Sequence, residues 1–127
     1  MIPENFKILV DKLIKKTTKK EAIWYKTSRD NQFKLDLGKG AITVDRWENE
    51  MMDGEMVDIA VINEYGDIVD SICFSSFQEE YKYLVDFHSL VLQTTYKVEE
   101  TFKTIFQELD SDKVIGIGRN VEDLPFM

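Results

Sequence analysis

Cysteine is nearly absent from this chain of 127 residues. Cys73 stands alone, so no disulfide can close within it, and the paired cysteines that staple many small secreted domains are missing. Histidine also occurs once, at His88, too little for a zinc site, which takes three or four protein ligands. No apolar run approaches the roughly 20 residues that a membrane-spanning helix needs. The opening Met1-Ile2-Pro3-Glu4-Asn5 lacks the basic and apolar segments of a secretion signal, so a cytoplasmic location is expected. Positive charge is the minority, 16 Lys and Arg against 24 Asp and Glu, for a net charge of −8. Such a surface repels a phosphate backbone, and nucleic acid is not an expected partner.

What is present is an ordinary globular composition, 43% hydrophobic and 31% charged. A chain of this length supports one core. The expected division is a single domain over residues 1–109 and a short tail, 110–127, whose Val114, Ile115, Ile117, Leu124 and Phe126 are too apolar for a disordered end and imply docking.

The first element runs from about Pro3 to Thr17. Phe6, Leu9, Val10, Leu13 and Ile14 recur at three- and four-residue spacing, as on one face of an amphipathic helix. Pro3 fits a first turn, and Lys15, Lys16, Lys19 and Lys20 complement the negative end of the helix dipole. Two hairpins follow. Phe33 to Leu37 alternates apolar with polar, Gly38-Lys39-Gly40 turns, and Ala41 to Trp47 returns. After an acidic loop from Glu48 to Glu55, Met56 to Ile62 is followed by the turn Asn63-Glu64-Tyr65-Gly66 and by Asp67 to Phe74, with a bulge needed to match their apolar faces. The fold class expected is α+β, with a four-stranded antiparallel meander.

Ser76 with Glu79 matches a capping box, and no Gly or Pro interrupts residues 77–109. Phe77, Tyr81, Leu84, His88, Val91, Thr95, Val98, Phe102, Ile105 and Leu109 follow alternating steps of four and three, a heptad seam of more than four repeats. A continuous helix of that length measures about 50 Å, more than four strands need as a cover. The pattern therefore implies a helix that bends, breaks near Gln93-Thr94-Thr95, or reaches outside the monomer.

Candidate sites are few. Gly116-Ile117-Gly118 lacks the third glycine and the Gly-Lys-Ser/Thr ending of a phosphate loop. The acidic run around Glu48, Glu50, Asp53 and Glu55 departs from the spacing of a calcium loop. With Trp47 and Tyr65 it is read as an interaction surface for a basic protein partner. Trp24, Cys73, Tyr81 and His88 form a second candidate, a small-ligand pocket between sheet and long helix. A Cys73–His88 hydrolytic dyad is a third reading, weakened by the lack of any other catalytic group. No cofactor and no metal is expected.

Ile23-Trp24-x-x-Thr27, Phe33-x-Leu35-x-Leu37-Gly38, Ile62-x-x-x-Gly66-x-Ile68 and the long last helix resemble small bacterial α+β proteins with the same order of elements and no established activity. The resemblance covers roughly residues 6–109 and implies the fold; it transfers no functional residue. The function expected from the residues is a non-enzymatic interaction or regulatory module, accessory or immunity-like, that self-associates through the long helix or binds a protein partner.

Overall fold

The computed structural model describes residues 1–51 and 54–118. The chain divides into two compact units, Met1–Lys97 and Val98–Met127. The first holds α1 (Glu4–Thr18), strands β1 (Tyr25–Lys26), β2 (Phe33–Leu37), β3 (Gly40–Asn49), β4 (Gly54–Asn63) and β5 (Ile68–Ser75), and α2 (Tyr81–Thr95); the second holds α3 (Val98–Leu109).

The sheet is an antiparallel meander in the order β1-β2-β3-β4-β5. Among the described residues it has five strands, not four. The additional β1 is two residues long, pairing Tyr25 with Lys34 and Lys26 with Phe33, too short to leave an alternation in the sequence. Register decides the faces. Phe33 lies opposite Val44, Val44 opposite Ile59 and Ile59 opposite Ile72. Leu35, Ile42, Val57 and Phe74 share that face; with α1 and α2 these residues form the buried core, against which the half-buried Ile72 packs. Odd-even alternation sends Asp45, Asp58 and Cys73 to the other face. The bulge expected in the last hairpin is present: the register shifts between Val61 and Ile62, leaving Val69 without a directly opposite residue. At the preceding turn, Gly66 adopts φ +89°, and the Asn63 side chain accepts the N–H groups of Tyr65 and Asp67.

α1 buries Phe6, Val10, Leu13 and Thr17, steps of four, three and four, each large apolar side chain contributing about 1.5–3 kcal/mol. The buried Thr17 hydroxyl accepts from the Trp24 indole at 3.1 Å, and the Trp24 ring meets Phe87 edge-on at 5.8 Å. The helix ends with Lys20 at φ +60°, where Lys20 N–H reaches the Thr17 carbonyl and Glu21 N–H the Lys16 carbonyl, the paired bonds of a left-handed C-terminal cap.

The long helix of the sequence reading is two helices. It starts later than the Ser76 capping box implies because Ser76 is still engaged with β4: its N–H donates to the Glu55 carbonyl at 2.8 Å, and its hydroxyl accepts the Glu55 N–H. The helix opens at Tyr81, with Glu80 at the N-cap. It stops after Thr95, whose hydroxyl donates to the Val91 carbonyl at 2.8 Å, and Lys97 takes φ +54°. A left-handed residue cannot continue a right-handed helix. α3 begins immediately afterwards, at Val98.

Candidate functional site

The first unit carries a polar cluster where α2 crosses the sheet. Arg46 sits on the core face of β3, directly opposite Val57, and its Nη2 donates to Glu55 at 2.8 Å. The Tyr81 hydroxyl, from the first turn of α2, donates to the same Glu55 oxygen. The Arg46 and Tyr81 bonds hold the Glu55 carboxyl below its ordinary pKa. Two turns along α2, His88 is buried, and its Nε2 lies 2.7 Å from the Asn31 carbonyl. A carbonyl only accepts, so Nε2 carries the proton and Nδ1 is the lone pair. Burial lowers the His88 pKa, so the ring is neutral. His88 Nδ1, Arg46 Nε and Glu80 Oε2 are buried without a hydrogen-bond partner among the described residues.

The opposite face of the sheet carries a second cluster. Asp45 is buried, with its carboxylate 2.9 Å from Arg29 Nε. The Arg29 guanidinium lies over the Trp47 ring at 6.0 Å. Asp58 is directly across from Asp45, and Cys73 directly across from Asp58. Burial, then the charge of Asp45, raises Asp58 to about 6. Partial burial and the neighbouring Asp58 raise the Cys73 thiol, which disfavours the thiolate.

These positions separate the residues grouped by sequence. Tyr81 and His88 line the core side, Trp24 is packed on Phe87, and Cys73 is exposed on the far face. Cys73 and His88 therefore do not share a pocket or a dyad. The acidic loop expected from Glu48 to Glu55 is shorter than that, because β3 and β4 extend into it and place Glu48 directly opposite Glu55; Glu48 and Glu50 are exposed. Glu48, Asn49, Glu50, Gly54, Glu55 and Ser76 line a cleft of about 540 Å³. Trp47 borders this end of the sheet, while Tyr65 lies past Asn63, seven residues along β4 from the partner of Trp47. At about 3.3 Å per residue that is about 23 Å away, so Tyr65 belongs to a different surface. Asp53 lies outside the described residues. Among those described, no group of three or more His, Cys, Asp or Glu is placed to hold a metal ion, and no helix is long and apolar enough to cross a membrane.

The second unit is simpler. Val98, Phe102, Ile105, Phe106 and Leu109 fall on one side of α3 at steps of four, three, one and three, yet no residue of α3 is buried. Phe102, Ile105, Phe106 and Leu109 are each about half exposed, at 55, 45, 56 and 54%. The rings of Phe102 and Phe106 lie 5.8 Å apart, as i and i+4 neighbours on a helix do. Of the tail's described residues, Val114 and Ile117 are almost fully exposed; residues 119–127 lie outside the described set.

Sequence reasoning missed the Arg46–Glu55–Tyr81 cluster and the Arg29–Asp45 pair, because each joins side chains from different elements of the chain. The pairing of Trp47 with Met56 brings Arg46 and Glu55 to one end of the sheet, while Tyr81 comes from α2 and Arg29 from the turn between β1 and β2. Compared with protein-family models, with curated proteins and with solved structures, the chain finds no match.

Proposed function

We propose that the chain is a protein-interaction module whose α3 offers its apolar face to a partner segment with basic residues at its rim. The observation that carries this reading is an amphipathic helix with four large apolar side chains half exposed on one side and none buried. Single exposed apolar residues are ordinary, whereas a contiguous apolar face marks a binding surface. Covering those side chains yields roughly 1–2 kcal/mol each, from which the cost of association is subtracted. Glu99 and Glu108 flank the face and Asp110 follows it. Pairing α3 with a second α3 brings these acids together, while a rim of Lys or Arg on the partner complements them.

A photo-reactive residue in place of Ile105 tests the proposal in cells. The expected result is one predominant crosslinked partner, lost in Phe102→Glu/Phe106→Glu and weakened in Glu99→Lys/Glu108→Lys. Crosslinking of the chain to its own copies, or capture indifferent to both double variants, overturns it.

A further inference from the structure

We propose that two copies of this chain pair through β5, edge to edge and antiparallel, with the two-fold axis at Cys73, to make one continuous ten-stranded sheet. The inference does not depend on α3 and uses a different surface.

The sheet has two edges of unequal kind. β1 is two residues long, whereas β5 is eight and has no further strand beside it among the described residues. The hydrogen-bond phase of β5 follows from one bond. Ser76 N–H donates to the Glu55 carbonyl. In an antiparallel pair, opposed residues alternate between exchanging both backbone bonds and exchanging none. Phe74 opposite Val57 and Ile72 opposite Ile59 therefore bond inward to β4, and Ser71, Cys73 and Ser75 present their N–H and C=O groups outward. Two side-chain contacts agree with this phase. The Ser71 N–H is met by the Asp70 carboxylate at 2.9 Å and the Ser75 N–H by the Gln78 side chain at 2.8 Å, while the Ser75 carbonyl accepts the Gln78 N–H at 3.0 Å; pairing with a second copy displaces these local bonds. Between them the outward N–H of Cys73 has no partner among the described residues.

The occupant is argued from the strand's own sequence. Ser71-Ile72-Cys73-Phe74-Ser75 reads polar, apolar, cysteine, apolar, polar in either direction. Antiparallel pairing about Cys73 sets Ser71 against the second copy's Ser75, Ile72 against its Phe74, and Cys73 against its Cys73. The Ile72–Phe74 pairs fall on the core face and extend the two cores toward each other. The serines and cysteines share the far face. The strip bears no charge in a chain of net −8, so a second acidic copy approaches it without like charges meeting, and no basic partner is called for. Asp70 falls opposite Ser76. Beyond Ser75 the chain turns, so the regularly paired strip is Ser71 to Ser75.

Directly opposed residues that exchange both backbone bonds have Cα atoms about 5.5 Å apart, within disulfide reach. That supplies a reporter of register, with diamide as the added oxidant: the two Cys73 thiols form one S–S bond, and their two electrons and two protons reduce diamide to its hydrazine. Sedimentation equilibrium of the full chain is expected to show twice the 14.9 kDa chain mass, falling toward one chain on dilution. Cys73→Arg, which places two cations face to face at an exposed position, is expected to weaken the dimer about a hundredfold or more with an unchanged circular dichroism spectrum. In a Cys73→Ser background, Ser71→Cys alone is expected to give no crosslink, and Ser71→Cys with Ser75→Cys to give one readily. The α3 variant Phe102→Glu/Phe106→Glu is expected to leave the dimer intact, so failure here and failure of the α3 reading are separable. A single-chain mass at millimolar concentration, a dimer that survives Cys73→Arg, crosslinking by Ser71→Cys alone, or a dimer dissolved by the α3 variant would each overturn the proposal.

Discussion

Between Tyr81 and Leu109 one spacing of residues, alternating four and three, runs through two helices that end in opposite surroundings. In α2 the seam residues Leu84, His88 and Val91 are buried, with Phe87 beside them against Trp24. In α3 the seam residues Phe102, Ile105 and Leu109 stand half in water. Periodicity states which side chains share a helix face; it does not state what covers that face. For α2 the cover is the sheet and α1, whose Asp11 accepts from the Tyr83 hydroxyl. For α3 no such cover exists among the described residues of its own unit.

The contrast breaks most visibly in stability. Leu84→Ala removes a fully buried side chain from the core and should cost about 3 kcal/mol. Ile105→Ala, at an exposed helix position where alanine is the better helix former, should stay within about 0.5 kcal/mol of the parent. Urea unfolding followed by circular dichroism measures both. Equal losses would mean that α3 is packed as α2 is, and the interaction reading would go with them.

A second difference is chemical, since α2 carries a buried titratable residue on its seam and α3 carries none there. Burial holds His88 below its ordinary value of 6.5, so the unfolded chain takes up the proton first. Stability should therefore fall as the pH drops below about 6.5. Across the sheet, Asp58 acts with the opposite sign. Its value of about 6 stands above the ordinary 3.8, so the folded state binds the proton more tightly and loses stability as the pH rises from about 4 to about 6. Asp58→Asn should raise stability by about 1–2 kcal/mol at pH 8 and by nothing measurable at pH 3. His88→Gln should flatten the acid side of the profile. Urea midpoints across pH 3–8 separate the two; a gain from Asp58→Asn that is the same at both ends would show that the carboxylate is not the cause.

Much of the first unit was legible in the residues themselves. The α1 stripe from Phe6 to Ile14, the glycine-marked hairpin at Gly38-Lys39-Gly40 and the bulge beside Val69 all leave local signals. β1 left none, because two residues cannot alternate. The late start of α2 was hidden because the Ser76 hydroxyl fits a helix cap equally well, and only the approach of Glu55 shows which donor it serves. The split between Cys73 and His88 was hidden for a related reason. Fifteen residues separate them along the chain, but strand parity, not distance, puts them on opposite faces. The cleft at Glu48 to Glu55 joins two strands whose charges were visible, while the Arg46 bond that compensates Glu55 was not.

The smallest effect concerns the point where the two helices part. Sequence offers neither glycine nor proline there, yet Lys97 stands at φ +54°, a region that disfavours residues with a Cβ by about 1–2 kcal/mol. Lys97→Gly removes that penalty but gives the unfolded chain more freedom, which returns part of the gain. The net expectation is a rise of about 0.5 kcal/mol in the stability of the first unit, read from urea midpoints, with the helical signal unchanged. Lys97→Ala keeps the penalty and carries alanine's preference for a right-handed turn. If the alanine variant instead gains helical signal and stability together, the break is a weak preference of this one residue. The seam from Tyr81 to Leu109 is then able to form as a single helix.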